Sequence, residues 1–178
     1  MLNVMIDLET LGTSPDAPIL SIGAVYFGPD TGELGNKLHL KLDFVEACKG
    51  RHIDPETVKW WMSQSDDARA ALLQSSTEGK HSALYHLDRF LAKMGGVKVW
   101  GNGATFDISM LENLYRQLGM ETPWKFYNVR DVRTVVAMAE GIIDRSDFPF
   151  EGVKHDALAD AIHQAKYVSA MWQMLRKK

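Results

Sequence analysis

A chain of 178 residues, 46% of them apolar, can bury a sizeable core within one domain, and a single domain over residues 1–178 is expected. Its one cysteine, Cys48, excludes an intrachain disulfide; no run of about 18 apolar residues offers a membrane span, and the first residues lack the basic region of a signal peptide, so a cytoplasmic protein is expected. A formal net charge of −3 gives no electrostatic sign of a protein that wraps a long duplex and disfavours that kind of partner, while leaving open a protein that grips one strand end through bound cations.

The first predicted strand runs from Leu2 to Glu9. Residues two apart on a strand share a face, so Leu2, Val4, Ile6 and Leu8 point one way and Asn3, Met5, Asp7 and Glu9 the other. Asp7 and Glu9 then lie roughly 6.6 Å apart along one face, close enough to share a divalent cation or to bridge two. Two neighbouring anions need a metal or basic partners to neutralise them. Residues 10–18, dense in Gly, Pro and Ser, form a loop. Residues 19–27 read as a buried central strand, 28–32 as a turn and 38–42 as a third strand, which together make an antiparallel meander.

The period then changes. Asp54 as N-cap, Pro55 at the first helical position and Glu56 in the first turn start a helix through Val58, Trp60, Trp61 and Met62 that gives way over 63–67. Adjacent tryptophans are about 100° apart on a helix, so one enters the core and its neighbour sits at the margin, within reach of a nucleobase. Residues 82–94 form an amphipathic helix closed by Gly95 and Gly96. Strand and helix alternate from here. Residues 97–100 make a short strand, 101–103 a turn, and Thr105 caps a helix with Ile108, Leu111, Leu114, Tyr115 and Leu118 on its inner stripe. Asp107 falls in its first turn, just past a strand end, where open α/β sheets place their sites and where an acid also complements the helix dipole.

Residues 126–129 read as a fifth strand and Asp131 as the N-cap of a helix through Val132, Val135, Val136 and Ala139. Arg130 and Arg133 flank that start as candidates to hold a phosphate. Residues 142–154 lack periodicity and read as a loop over the site, with Phe148 to Phe150 tucked against the body. A last long helix carries Leu158, Ile162, Ala165, Trp172 and Leu175 as its sheet-facing stripe. Were His155 and Asp160 both helical, they would lie roughly 140° apart. With Asp156 as N-cap, His155 stays outside the helix and the two converge. His39, His52, His81, His86 and His163 read as surface or core histidines.

Asp7, Glu9, Asp107, His155 and Asp160 thus gather at one strand end and two helix starts. Residues 6–10 resemble the first motif of the DEDD exonucleases, 102–107 the second, and 155–160 the third, HxAxxD, whose histidine marks the DEDDh branch. The paired Trp60 and Trp61 and the stretch 130–134 resemble the small single-domain mycobacterial exoribonuclease-like group, which includes enterobacterial and phage members. The resemblance implies an α/β fold of the ribonuclease H-like (DnaQ-like exonuclease) type, a central five-stranded mixed sheet flanked by helices. It implies two divalent ions, Mg²⁺ or Mn²⁺, on Asp7, Glu9, Asp107 and Asp160, with Asp7 bridging them, Glu9 on the ion that carries the attacking water and His155 as general base. Thr10, Leu11, Trp61 and Phe106 are the implied substrate contacts. The implied reaction is phosphodiester hydrolysis from the 3′ end of a nucleic acid, single-stranded or with a 3′ overhang, releasing 5′-mononucleotides. A homodimer is the expected assembly. The rivals are a ribonuclease H-like endonuclease and a non-catalytic strand-end binder, and RNA and DNA both stay open, because no residue betrays a 2′-OH contact.

Overall fold

A computed structural model describes residues 2–74, 76–91 and 96–177. Its five-stranded sheet is built on the first strand, β1 (Asn3–Thr10). The strands β2 (Ile19–Phe27) and β3 (Leu34–Lys41) continue it as an antiparallel meander on one side. On the other side β4 (Lys98–Gly101) and β5 (Val129–Asp131) run parallel to it, giving the order β3-β2-β1-β4-β5. Alternation along β1 sorts its side chains as expected: Val4, Ile6 and Leu8 enter one core and Met5 another.

The first core is closed by α2 (Pro55–Met62), α4 (Lys80–Leu91) and α5 (Asp107–Gln117), which contribute Trp61, Leu84, Leu87, Leu111 and Leu114. The second lies under α6 (Val132–Ala139) and α7 (Ala157–Arg176). The two short helices α1 (Phe44–Cys48) and α3 (Asp66–Leu72) are additions to the expected order. Ser65 starts α3 where a break was expected, accepting a hydrogen bond from the Ala68 N–H. Asp54, Asp131 and Asp156 are N-caps as expected, whereas Thr105 is not, and α5 begins without a side-chain cap. The expected C-terminal end of the helix over 82–94, with Gly95, lies outside the described residues.

Three expectations are corrected. Residues Phe126–Asn128 form a 3₁₀ turn, with Phe126 and Tyr127 largely exposed, and the strand begins only at Val129. The most buried face of α7 is Ala157, Ala161, Gln164, Ala165, Val168 and Met171; of the expected stripe Ala165 lies on it and Ile162, Trp172 and Leu175 pack at its margin, partly buried, whereas Leu158 is not part of that core. The helix starts so close to the sheet that only small side chains fit beneath its first turns: a Cβ on Gly23 of β2 would stand 2.1 Å from the Ala157 carbonyl. Thirdly, the segment 142–154 contains a 3₁₀ turn, Arg145–Asp147, and contributes no residue to the lining of the cleft described below, although Phe148 and Phe150 are tucked against the body as expected, on Tyr167 and His163 of α7. Among the described residues no helix is long and apolar enough to cross a membrane.

Candidate active site

The carboxylate end of β1 forms the floor of a cleft of about 600 Å³. Cross-strand pairing places Asp7 opposite Gly23, and the bare backbone there admits the start of α7. Asp160, in the first turn of that helix, is thereby carried to β1, and one oxygen each from Asp7, Glu9 and Asp160 lie within 4.8 Å of one another. Asp107 stands behind this trio, only 2% exposed and outside the cleft lining. Gly101 leaves room for it, since a Cβ there would come within 2.9 Å of Asp107 Oδ2. The turn before α5 is tied to the next strand, because Asp131 Oδ2 accepts from the Ala104 N–H at 2.6 Å.

Burial and mutual repulsion dominate the electrostatics. Desolvation, then the charges of Asp107, Glu9 and Asp160, hold Asp7 well above the usual carboxylate range, opposed by a hydrogen bond from Gln164. Desolvation and the Asp160, Asp156 and Asp107 charges push Glu9 up to about 9. Asp107 is raised to about 7, chiefly by desolvation, and Asp160 is raised for the same leading reason. The Arg133 and His155 charges oppose the rise at Asp107 and Asp160 without overcoming it; an all-oxygen set of this kind fits a hard divalent cation.

His155 sits just outside α7, where the sequence places it, in a left-handed conformation with φ of 63° that non-glycine residues adopt at some cost. Its N–H donates to Asp160 Oδ2 at 2.8 Å, so the loop and the acid fix one another. The imidazole packs edge-on against Trp60 with ring centroids 4.9 Å apart. Of the two tryptophans, Trp60 is 44% exposed and lines the cleft. Trp61 contributes to the lining but is only 5% exposed, and its Nε1–H donates to the Thr10 carbonyl at 2.9 Å, pinning the end of β1. Thr10 and Phe106 also reach the cleft. Leu11 does not: its side chain is in the core, its N–H donates to the Pro18 carbonyl and its own carbonyl accepts from the Asp54 N–H.

Several neighbours escaped the sequence reading. Gln164 Nε2 donates to Asp7 Oδ1 at 2.7 Å. Behind Glu9 and His155, His39 Nε2 lies 3.1 Å from Ser21 Oγ and 3.8 Å from Asp156 Oδ2, with Lys41 Nζ 4.0 Å from the same Asp156 oxygen. The available signals were spacing and register: Gln164 is four residues beyond Asp160, and the rows Asp7–Gly23–His39 and Glu9–Ser21–Lys41 run straight across the sheet.

A meander continued by two parallel strands, with acids at the end of its central strand and at two helix starts, defines a ribonuclease H-like exonuclease fold. The nuclease domain of 3′hExo, a DEDDh family member whose crystal structure was determined bound to rAMP, superposes with a TM-score of 0.61 at 14% identity, over 97% of this chain and 92% of that one. Pop2p of S. pombe, in a Mg²⁺- and Mn²⁺-bound form, superposes with a TM-score of 0.65 at 14% identity, over 99% and 83%. The family described as the 3′–5′ exoribonuclease Rv2179c-like domain matches residues 2–172, and the chain belongs to this family of 3′–5′ exonucleases. It is also similar to the exodeoxyribonuclease of enterobacteria phage T4, 25% identical over 99% of this chain and 90% of the phage protein.

Proposed function

We propose that residues 1–178 act as one metal-dependent exonuclease domain that hydrolyses the terminal phosphodiester of a nucleic acid with a free 3′ end and releases 5′-mononucleotides. The observation that carries this reading is the approach of Asp7, Glu9 and Asp160 within 4.8 Å at the floor of a cleft with His155 in its lining. Asp7, Glu9, Asp107 and Asp160 would hold two Mg²⁺ or Mn²⁺ ions. Such ions, when bound, screen the phosphodiester, make a water acidic and take up charge on the leaving oxygen. His155 takes the proton from that water; its position outside α7 frees the ring, while its N–H stays on Asp160. Trp60 and Phe106 seat the terminal nucleoside, with Trp61 acting through Thr10 rather than by stacking.

The family description favours RNA and the phage relative favours DNA, so the proposed substrate is a single-stranded 3′ end, or a 3′ overhang, of either polymer. The test offers 3′- and 5′-labelled RNA and DNA oligonucleotides and circular single strands with Mg²⁺ or Mn²⁺, beside Asp7→Asn. Stepwise loss from the 3′ end, absent in Asp7→Asn, is expected. Cleavage of circles would establish an endonuclease instead, and inertness with Mn²⁺ on every substrate a binding protein.

A further inference from the structure

Gln164 is outside the residues that the exonuclease motifs supply, yet among the described residues it is the one side chain that donates a hydrogen bond to Asp7. It lies one turn beyond Asp160 on α7, about 40° round the helix, so both residues face the end of β1. The side chain is 4% exposed, and its Oε1 is buried with no hydrogen-bond partner. A buried amide oxygen left unpaired costs roughly 1–3 kcal/mol, and its presence requires an explanation. Turning the amide over would set its oxygen against Asp7, which is unfavourable for the ionised carboxylate that would bind a cation. In that form Asp7 selects the orientation of Gln164.

We infer that Gln164 is the positioning residue of Asp7, fixing the rotation of its carboxylate relative to Glu9 and Asp160 for cation binding. The residue type fits the task. Lysine or arginine at 164 would neutralise Asp7 and compete with a divalent ion, and a carboxylate would add one more anion to the cluster. A neutral donor orients the carboxylate and leaves its charge available. This role rests on the reading of Asp7 as a metal ligand, and its test separates the two.

Mn²⁺ binding is measured by titration calorimetry on the full chain for the wild type, Asp7→Asn, Gln164→Leu and the double variant, with thermal unfolding after chelation as a check of folding. Gln164→Leu is expected to weaken Mn²⁺ binding about 10-fold or more, as loss of a partner to a metal ligand commonly does. It should lower kcat while KM for an oligonucleotide stays within about 2-fold, a split that follows from loss at the reacting centre alone. In the Asp7→Asn background the same change should have no further effect on Mn²⁺ affinity. Mn²⁺ affinity indifferent to Asp7→Asn would overturn the metal-site reading itself. An affinity sensitive to Asp7→Asn but unchanged in Gln164→Leu would overturn the role of Gln164 alone. Should the leucine variant fail to fold, Gln164→Met, unbranched and of similar length, decides by the same affinity criterion.

Discussion

Asp7 and Gly23 face one another across β1 and β2, and the missing side chain of Gly23 is what brings α7, and with it Asp160, to the acid it must meet. Gly23→Ala forces the Ala157 peptide, 2.1 Å from the added methyl, to move. Overpacking of this kind typically costs about 1–3 kcal/mol, and here the atom in the way is backbone. The variant should unfold at lower urea and lose exonuclease activity out of proportion to the folded fraction that remains. Wild-type activity with an unchanged urea midpoint would show that α7 is not held by this contact.

The two tryptophans should fail in different ways. Trp60→Ala removes an exposed ring from the cleft, so stability should change little while KM for a short oligonucleotide rises about 5- to 150-fold, matching the roughly 1–3 kcal/mol of a base–aromatic stack. Trp61→Phe deletes the donor to the Thr10 carbonyl and should cost about 0.5–1.5 kcal/mol of stability. Paired denaturation curves and steady-state kinetics distinguish them; a KM effect confined to Trp61→Phe would reverse the assignment.

The contrast between these neighbours shows what was legible beforehand. Helical spacing says that Trp60 and Trp61 diverge, but which one enters the core depends on how α2 sits over β1, a tertiary matter. The acids of β1, the start of α7 and the position of His155 were readable because each follows from a local rule of strand alternation or helix capping. Gln164 was not, since a glutamine in a helix carries no signal until its partner across the fold is known. His39 and Lys41 were missed for a related reason, because their tie to Asp156 depends on strand register and on the landing point of α7. The stripe on α7 was legible only in part, because large apolar residues such as Ile162 and Trp172 look like the centre of the core but pack at its margin, whereas at the close approach to Gly23 the buried positions are alanines.

Stability after chelation should fall as pH rises. Glu9 is held at about 9 and Asp107 at about 7, both above their ordinary values in the unfolded chain. Groups raised in this way stabilise the fold fully below their unfolded values, and that contribution is lost as pH climbs through about 7 and then about 9. In EDTA the melting temperature should therefore decline from about pH 5 to 9, and Mn²⁺ or Mg²⁺ should raise it most at the alkaline end, with protons released on binding. Glu9→Gln should flatten the upper part of the decline. A melting temperature independent of pH in EDTA would contradict the electrostatic account.

Asp131 holds two parts of the site scaffold at once. Its Oδ1 accepts from the Thr134 N–H at 3.0 Å as the cap of α6, and its Oδ2 accepts from the Ala104 N–H at 2.6 Å in the turn that carries Asn102, Phe106 and Asp107. Asp131→Ala removes both acceptors: the cap alone is worth about 0.5–2 kcal/mol, and the stranded Ala104 N–H adds to the loss. Asp131→Asn keeps one oxygen acceptor and should recover part of it. Because the turn positions Asp107 and Phe106, the alanine variant should also lose kcat under conditions where it is fully folded, with the asparagine variant intermediate. Equal kcat in all three proteins, with only the melting temperature changed, would confine Asp131 to a structural cap and detach it from the active site.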